Sequence, residues 1–194
     1  MLVLSDIQEC QQDIINAKDQ ELQNLIDHDV FEWVEDEGQK AVSSRWVLHE
    51  KTKPDGTRWL KARLVARGFE EKLADKRVES PTCSRQGLRM AFVITSSMDW
   101  ELNAMDISSA FLQGNPLQRT VYIKTPTDIS VDGKLWRLKR CLYGLSDAPR
   151  EWYDSVCEEM KTLGGKVSIY DNSVFIWHSE GNLDGTITTH VDDF

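Results

Sequence analysis

The sequence of 194 residues predicts an α+β fold, because helix-like and strand-like patterns are intermixed along it and no internal repeat is visible. Hydrophobic residues make up 40% of the chain and seven residues are tryptophan, which is typical of a folded globule rather than a disordered tail. The length fits one domain, or one domain with a smaller attached lobe.

Three segments carry apolar residues at the spacing of an α-helix. They cover residues 6–27, 84–98 and 147–163, and Gly164-Gly165 end the third. The residues expected on the buried faces are Ile14, Ile15, Leu22, Leu25 and Ile26 in the first helix, Leu88, Ala91, Phe92 and Thr95 in the second, and Trp152, Val156, Met160 and Leu163 in the third.

Strands are predicted between and after these helices. A β-hairpin over 43–69 turns at Lys53-Pro54-Asp55-Gly56, because proline fixes one turn dihedral and glycine accepts a positive one. Residues 100–107 are a strand candidate, and residues 108–114 turn away from it. Further strands are expected in "TVYIKTP", in "KLWRLKRCLYG" and in the closing hairpin pattern "NSVFIWHSEGNLDGTITTHVDDF".

Composition argues against several classes of protein. No apolar run reaches the roughly 18 residues of a membrane helix, and the N-terminus lacks a signal-peptide pattern. The four cysteines are scattered, without a paired spacing for zinc or for a disulfide framework. The sequence therefore predicts a protein of a reducing intracellular compartment with no membrane partner.

The net charge of −9 is unevenly distributed. Residues 1–39 hold one lysine and eleven acids, residues 40–90 hold thirteen basic residues and six acids, and residues 91–194 hold nine basic residues and fifteen acids. A basic segment inside an acidic chain can attract an anionic partner, since the local field matters more than the sum. A solvated cationic face explains the same excess and is favoured on charge alone.

Strand geometry adds detail to the basic segment, because side chains alternate between the two faces of a strand. Lys61, Arg63 and Arg67 share one face of "RWLKARLVARG", while the other face is apolar. Three cations within about 20 Å of strand suit a row of phosphates or a nucleoside triphosphate. An exposed cationic edge strand that discourages aggregation fits the pattern equally well.

Aspartates follow two of the predicted strands. Asp106 comes after "ELNAM", and Asp192 and Asp193 come after "TITTHV". If the two strands lie side by side, these carboxylates meet and repel one another unless a divalent cation such as Mg²⁺ neutralises them. Two such ions roughly 3.5–4 Å apart are the usual device for in-line attack at phosphorus. Taken singly, each aspartate is better explained as a turn or cap residue.

Seven motifs follow one another in a fixed order along the chain. They are "RWVLHEKTKPDGTRWLKARLVARGFEE", "SPTCSRQGLRM", "WELNAMDISSAFLQGNP", "VYIKTP", "LWRLKRCLYGLSDAPREWY", "DNSVFIW" and "HVDDF". With these motifs the chain resembles the reverse transcriptase region of copia-type LTR retrotransposon polyproteins, from about "ELQNLIDHDVFEWVE" to the final phenylalanine. The resemblance implies an RNA-directed DNA polymerase with fingers and palm, the palm being a small antiparallel sheet backed by two helices.

The resemblance assigns the aspartates to a metal-binding cluster in the palm. It implies that Asp106 and Asp192 bridge two Mg²⁺ ions, for which Mn²⁺ can substitute, and that Asp193 contributes more weakly. The backbone carbonyl of Ile107 is implied as a further ligand. The implied reaction is attack of a primer 3′-hydroxyl on the α-phosphate of an incoming dNTP, where positioning and charge neutralisation supply most of the catalysis.

The resemblance also implies roles in binding nucleotide and template. Lys61 and Arg67 match positions that contact the incoming triphosphate and the template, and Arg63 lies on the same predicted face. Phe111 matches the bulky residue that excludes a ribose 2′-hydroxyl, although core packing explains it too. Gly144 permits close backbone approach in a loop that lines the nucleotide pocket.

Two positions depart from the family's usual pattern. His190 stands where tyrosine is familiar, and it is interpreted as a tolerated variation although histidine can change charge near neutral pH. Ser146 and Asp147 stand where a Lys-Gln pair is usual. An acid there weakens phosphate binding unless it faces away or caps the following helix, and we favour the cap.

The resemblance predicts three parts, namely an acidic N-terminal helix and extension (1–39), a basic fingers hairpin (40–83) and a palm (84–194) truncated at the catalytic turn, with the thumb absent. The expected partners are an RNA template, a DNA primer, dNTP, and the thumb, RNase H, integrase and protease parts of the polyprotein. The expected location is cytoplasmic retroelement particles, with or without a nuclear stage.

We expect such a fragment alone to have little or no polymerase activity. Two alternatives to the polymerase interpretation remain. One is a non-catalytic remnant that binds nucleic acid or a protein partner through the basic hairpin, and the other is a decayed gene fragment without a role.

Overall fold

The structure, a computed structural model, describes residues 4–71 and 78–194. These residues fall into two compact units. The N-terminal unit comprises residues 4–71 and 116–146, and the C-terminal unit comprises residues 78–115 and 147–194. Four α-helices and eight strands occur in the described part of the chain, which confirms the predicted mixture of helices and sheet.

The N-terminal unit contains one helix, five strands and a short 3₁₀ turn. The strands form a single sheet, and the helix packs on the strand at one edge of it. The elements are α1 (Leu4–Asp27), β1 (Phe31–Glu35), β2 (Ala41–Thr52), β3 (Arg58–Ala66), the 3₁₀ turn (Gly68–Glu70), β4 (Tyr122–Lys124) and β5 (Lys134–Leu138).

The sheet of the N-terminal unit has the strand order β1-β5-β4-β2-β3. Strands β2 and β4 are parallel, and the other neighbours are antiparallel. The predicted hairpin is confirmed as β2 and β3. Its turn includes Gly56 at φ +85°, whose N–H donates to the carbonyl of Lys53 at 2.9 Å.

Residues 116–146 join this sheet, although the resemblance predicts them within the palm (84–194). Their strands β4 and β5 pair with β2 and β1. Aromatic packing explains the second pairing, since the rings of Phe31 and Trp136 stack with centroids 3.6 Å apart and Trp33 packs edge-on against Trp136. The pattern of a short strand does not specify its partner, so sequence reasoning missed this contact.

Helix α1 forms where it was predicted, but its buried face is only partly the predicted one. Leu25 is buried as predicted, whereas Ile15 and Ile26 are 50% and 58% exposed. From residue 10 onward, the buried residues of the helix are Ala17, Glu21 and Leu25, which lie four residues apart and therefore on one face. The apolar pattern missed part of this face because one of its three members is an acid.

The C-terminal unit contains three helices and a three-stranded antiparallel sheet of order β6-β7-β8. Helix α4 buries its apolar stripe against Phe175 of β7, and α2 contacts β8. The elements are α2 (Arg85–Ser97), α3 (Ala110–Gln113), α4 (Ala148–Thr162), β6 (Lys166–Val167), β7 (Val174–Ser179) and β8 (Asn182–Thr188).

The predicted helices 84–98 and 147–163 are confirmed as α2 and α4. In α4, three of the four residues predicted to be buried are buried, while Leu163 lies past the helix end and is exposed. In α2, Ala91 is buried, whereas Leu88 and Phe92 on the predicted face are exposed. The side chain of Ser84 caps α2 by accepting the N–H of Gly87 at 3.0 Å.

The predicted strand 100–107 is wrong, because this segment forms only an isolated bridge at Asp106. A strand needs a neighbour along its length, and residues 101–105 instead line an open cavity of about 570 Å³ beside α2 and β8. Leu102 and Met105 are largely exposed there. The predicted strand "TITTHV" (186–191) is found only in part, since β8 ends at Thr188 and a turn follows.

Of the helices that the structure describes, none combines the length and the apolar character that a membrane span requires. All four cysteines are free thiols, and Cys141 and Cys157 are buried.

Candidate active site

Three aspartates form a cluster in the C-terminal unit. Asp106, Asp192 and Asp193 each offer one carboxylate oxygen, and these three oxygens lie within 4.8 Å of one another. Asp106 and Asp193 are exposed, and Asp192 is half-buried. The structure thus brings together acids from two distant parts of the chain.

A tight turn over residues 190–193 carries two of these acids. The N–H of His190 donates to the carbonyl of Asp193 at 2.8 Å, and the N–H of Asp193 donates back at 3.2 Å. Val191 within the turn has φ +63°, which a β-branched residue rarely adopts. The indole N–H of Trp152 in α4 donates to the carbonyl of Val191 at 2.7 Å, so the core helix holds the strained turn.

Backbone hydrogen bonds bring Asp106 to this turn. The N–H of Ile107 donates to the carbonyl of Asp192 at 2.9 Å. Met105 and Phe194 exchange two bonds, at 3.1 and 2.9 Å. Asp106 therefore stands opposite Asp193 in an antiparallel bridge, where side chains of opposed residues emerge on the same side.

The chemistry of the cluster fits a divalent cation. Among the described residues, no lysine or arginine forms an ion pair with these three acids. Like charges about 4 Å apart repel by about 1 kcal/mol even in water, and by more near a protein surface. Carboxylate oxygens at this spacing are hard ligands of the kind that Mg²⁺ and Mn²⁺ prefer.

Phe111 lies in α3, in the same unit as the acids. Its side chain is half-buried and packs against the core cluster that α4 and β7 build. Ser109 precedes α3 with φ +57°, so the chain turns sharply between Asp106 and Phe111. Core packing of Phe111 is therefore observed, and its role as a sugar gate stays a prediction.

The three basic residues of the predicted phosphate-binding face lie in the N-terminal unit. Lys61 and Arg63 are half-buried on one face of β3, and alternate residues from Ala62 to Ala66 are buried on the other. This alternation was predicted. Arg67 follows the end of β3 and is exposed.

Arg63 is oriented by an aromatic neighbour. Its guanidinium carbon lies 5.1 Å from the ring centroid of Tyr143, a cation–π geometry that stabilises by roughly 0.5–2 kcal/mol. The Nε of Arg63 is buried and has no hydrogen-bond partner among the described residues, which costs free energy while it stays unpaired. The side chain is thus held in place by stacking rather than by an acid at Nε.

Gly144 makes a close backbone approach, and the partner is the end of β3. It has φ +87°, and a Cβ there would lie 2.2 Å from the carbonyl oxygen of Ala66. The N–H of Ala66 donates to the carbonyl of Tyr143 at 2.7 Å, and the N–H of Gly68 donates to the carbonyl of Gly144 at 3.2 Å. The glycine is therefore required by this packing, and its contact with a nucleotide stays a prediction.

The two departures from the family pattern have different surroundings. Asp147 takes the N-cap position of α4, and its carbonyl accepts the N–H of Glu151 at 2.9 Å. The predicted side-chain cap is wrong, because the carboxylate makes no capping bond and the residue is 1% exposed. Burial keeps this acid out of solvent. His190 is exposed at the start of the acid turn.

Sequence reasoning missed Glu21, a buried acid beside the basic strand. Its Oε1 accepts the N–H of Leu64 in β3 at 3.3 Å. Burial raises the pKa of Glu21, while Lys61 and Arg63 act in the opposite direction. The available signal was the four-residue spacing of Glu21 from Ala17 and Leu25. This spacing identifies a buried face of the helix only when the contact of α1 with β3 is known.

Comparison with known proteins finds a reverse transcriptase family and retrovirus-related polyproteins. The family described as "Reverse transcriptase (RNA-dependent DNA polymerase)" matches residues 28–194. The Retrovirus-related Pol polyprotein from transposon TNT 1-94 of Nicotiana tabacum is 30% identical over 189 residues, which cover 93% of this chain and 14% of that protein.

Two polyproteins of Arabidopsis thaliana match over a shorter length. The Retrovirus-related Pol polyproteins from transposons RE2 and RE1 are 33% and 32% identical over 141 residues, which cover 70% of this chain and 10% of each relative. The chain therefore spans 14% or less of these curated relatives. No solved structure gives a significant match.

Proposed function

Because the chain belongs to the reverse transcriptase (RNA-dependent DNA polymerase) family, we propose that it is part of the RNA-directed DNA polymerase of a copia-type retrotransposon polyprotein. The reaction is transfer of a nucleotide from dNTP to the 3′-hydroxyl of a DNA primer on an RNA template. The remaining partners in this proposal are the other parts of the polyprotein.

The acid cluster carries the proposal. Asp106, Asp192 and Asp193 would hold two Mg²⁺ or Mn²⁺ ions, because their three carboxylate oxygens lie within 4.8 Å of one another. The backbone carbonyl of Ile107 would be a further ligand. Bound ions would neutralise phosphate charge and lower the pKa of the primer hydroxyl.

The chain itself contributes the fixed position of these ligands. The bonds from Ile107 to Asp192 and from Trp152 to Val191 set the carboxylates before any substrate arrives. Preorganised charge of this kind needs no rearrangement when the reaction occurs.

The basic residues of the N-terminal unit would bind phosphate. Lys61 and Arg67 would contact the triphosphate and the template, and Arg63 would assist from the same face of β3. Their partial or full exposure and the stacking of Arg63 on Tyr143 support this assignment. Stacking on Tyr143 restricts the Arg63 side chain in advance, which lowers the side-chain entropy that this residue would lose on binding phosphate.

Two further positions, one in each unit, have proposed roles towards the nucleotide. Phe111 would exclude a ribose 2′-hydroxyl, and its anchoring against the core supports a rigid wall at that position. Gly144 would let the 142–146 loop approach the nucleotide closely, while its observed contact with Ala66 ties this loop to β3.

The proposal assigns family names to parts of the fold. The hairpin of β2 and β3, within residues 40–83, would be the fingers. The sheet β6-β7-β8 with α2 and α4, within residues 84–194, would be the palm. Residues 1–39 would be an N-terminal extension, of which helix α1 packs on β3 of the fingers.

The 194-residue chain alone is proposed to have little polymerase activity. The hydrogen bonds that set the acids join residues 105–107 to residues 192–194 without a continuous ladder, and the proposal is that this arrangement needs packing from further parts of the polyprotein to persist.

Binding of Mn²⁺ followed by water-proton relaxation tests the proposal without depending on turnover. We expect a carboxylate-dependent site that Asp106→Asn and Asp192→Asn each weaken at least about tenfold, since each variant removes one charged ligand. Asp184→Asn is the matched control, because Asp184 is an exposed acid of β8 in the same unit outside the cluster.

Primer extension and RNA binding decide between the alternatives. A polymerase predicts extension of a primed RNA template that needs Mg²⁺ and is lost in Asp106→Asn, once the chain is joined to the segments that follow it in its relatives. RNA binding that persists without any carboxylate-dependent metal site would instead support a non-catalytic remnant. Equal metal binding by Asp106→Asn and the unmutated chain contradicts the proposed site.

A further inference from the structure

The buried face of α1 includes a carboxylic acid that packing alone does not require. Glu21 is 5% exposed and lies between Ala17 and Leu25 on the face that packs against β3. Residues of α1 lie outside the matched family range, which begins at residue 28. A buried carboxylate is costly unless it is paired, so this position needs a physical reason.

Glu21 lies beside one edge of the sheet. Strand β3 forms this edge, with β2 on its inner side. On the outer side, Glu21 Oε1 accepts the N–H of Leu64, and the carbonyl of Tyr143 accepts the N–H of Ala66. The carboxylate therefore takes the place of an acceptor that a further strand would supply.

The charge of Glu21 is the feature that this hydrogen bond leaves unexplained. A glutamine of the same shape offers an equivalent acceptor to Leu64 without burying a charge. Leu64, whose N–H the carboxylate accepts, directly follows Arg63 and lies three residues after Lys61 on β3. The negative charge of Glu21 therefore acts on these two cations, which is what distinguishes the acid from the amide. Helix α1 is fixed in place nearby, since Lys18 pairs with Asp128 at 2.5 Å and lies over the ring of Trp46.

We propose that Glu21 is a positioning residue of the phosphate-binding strand, which fixes the outer edge of β3 and reduces the positive charge that Lys61 and Arg63 present to nucleic acid. This inference rests on the proposed function, because it assumes that β3 binds phosphate. It gives α1 a part in that binding through a residue that touches neither nucleotide nor template.

The test is binding of a single-stranded RNA oligonucleotide to the full 194-residue chain, measured by fluorescence anisotropy at several salt concentrations. We expect Glu21→Gln to tighten binding about threefold at about 50 mM salt, with less effect at about 200 mM, because screening weakens the interaction that is removed. Asp19→Asn is the matched control, since it removes the same charge from the exposed face of α1. It should leave the affinity unchanged.

A double-mutant cycle separates charge from structure. In a chain that also carries Lys61→Ala and Arg63→Ala, the effect of Glu21→Gln should disappear, whereas a general change in folding would persist. Circular dichroism checks that each variant is folded.

Three results overturn the inference. They are an unchanged affinity in Glu21→Gln, an equal change in Asp19→Asn, and an effect of Glu21→Gln that survives without the two cations. The proposed function fails in a different way, namely when Lys61→Ala with Arg63→Ala leaves RNA binding at its original strength.

Discussion

The indole nitrogen of Trp152 lies 2.7 Å from the carbonyl oxygen of Val191 and donates a hydrogen bond to it. Trp152 is buried in the core of the C-terminal unit, and Val191 is the strained residue of the turn that carries Asp192 and Asp193. One side chain thus connects the packing of α4 to the geometry of the acid cluster.

Replacing Trp152 by phenylalanine removes this bond and keeps an aromatic ring in the core. We expect the free energy of unfolding to fall by about 1–3 kcal/mol, because a buried bond and part of the indole contact are lost. We also expect weaker Mn²⁺ binding, because the turn is then free to relax. Urea denaturation and Mn²⁺ titration measure the two effects.

Trp177→Phe is the control for this prediction. The indole N–H of Trp177 donates to the carbonyl of Leu163 at 2.9 Å, just past the other end of α4. The variant should lose stability and keep its affinity for Mn²⁺. If both variants weaken Mn²⁺ binding alike, the specific link between Trp152 and the acid turn is refuted.

A second prediction concerns Gly144, which must lack a side chain for two reasons. Its φ is +87°, and a Cβ would lie 2.2 Å from the carbonyl oxygen of Ala66. We expect Gly144→Ala to destabilise the protein by about 3 kcal/mol or more, since both backbone strain and a steric clash are introduced.

Gly133→Ala isolates the strain from the clash. Gly133 has φ +70° and nothing within 4 Å of the added Cβ, so its substitution should cost only about 1 kcal/mol. Thermal unfolding of the two variants compares them directly. A similar loss of stability in the two variants would mean that the 142–146 loop moves away from β3 without a cost in free energy.

The elements that were predicted well are those whose pattern is local. The buried residues Trp152, Val156 and Met160 recur at the helical period, and the turn at Gly56 has a proline and a glycine at positions that only a hairpin explains. The strand at 100–107 failed because strand formation depends on a neighbour, and an apolar alternation cannot supply one.

Strand reasoning singled out the three aspartates of the acid cluster, but only the family motifs gave them a shared role. An isolated aspartate carries no sign of its partner, and Asp106 meets Asp193 through a bridge rather than through the ladder that strand reasoning expected. Glu21 had no such motif. Its contact with Leu64 depends on how α1 docks on the sheet, which the sequence of the helix does not encode by itself.

A third prediction follows from the raised pKa of Glu21. Burial shifts it upward from the ordinary value of 4.5, although Leu64, Lys61 and Arg63 oppose the shift. A carboxyl group with a higher pKa in the folded state contributes stability that is fully present below its unfolded pKa. That stability is lost as the pH rises through the folded value.

Glu21→Gln should therefore change how stability depends on pH. The variant and the unmutated chain should unfold with similar free energies near pH 4, and the variant should become the more stable of the two towards pH 7. Urea unfolding across this range measures the difference. A difference that stays constant with pH, or one that Asp19→Asn reproduces, would show that the buried carboxyl group is not its source.

The fourth prediction tests the face on which α1 packs. Leu25 is fully buried and its neighbour Ile26 is 58% exposed, although the apolar pattern treats them alike. We expect Leu25→Ala to lower the free energy of unfolding by about 2–4 kcal/mol because it leaves a cavity in the buried face, and Ile26→Ala to change it by less than about 0.5 kcal/mol. The two variants differ only in which side of one helix turn they alter. Equal effects would mean that α1 does not dock through Ala17, Glu21 and Leu25, and the contact between Glu21 and Leu64 would fail with it.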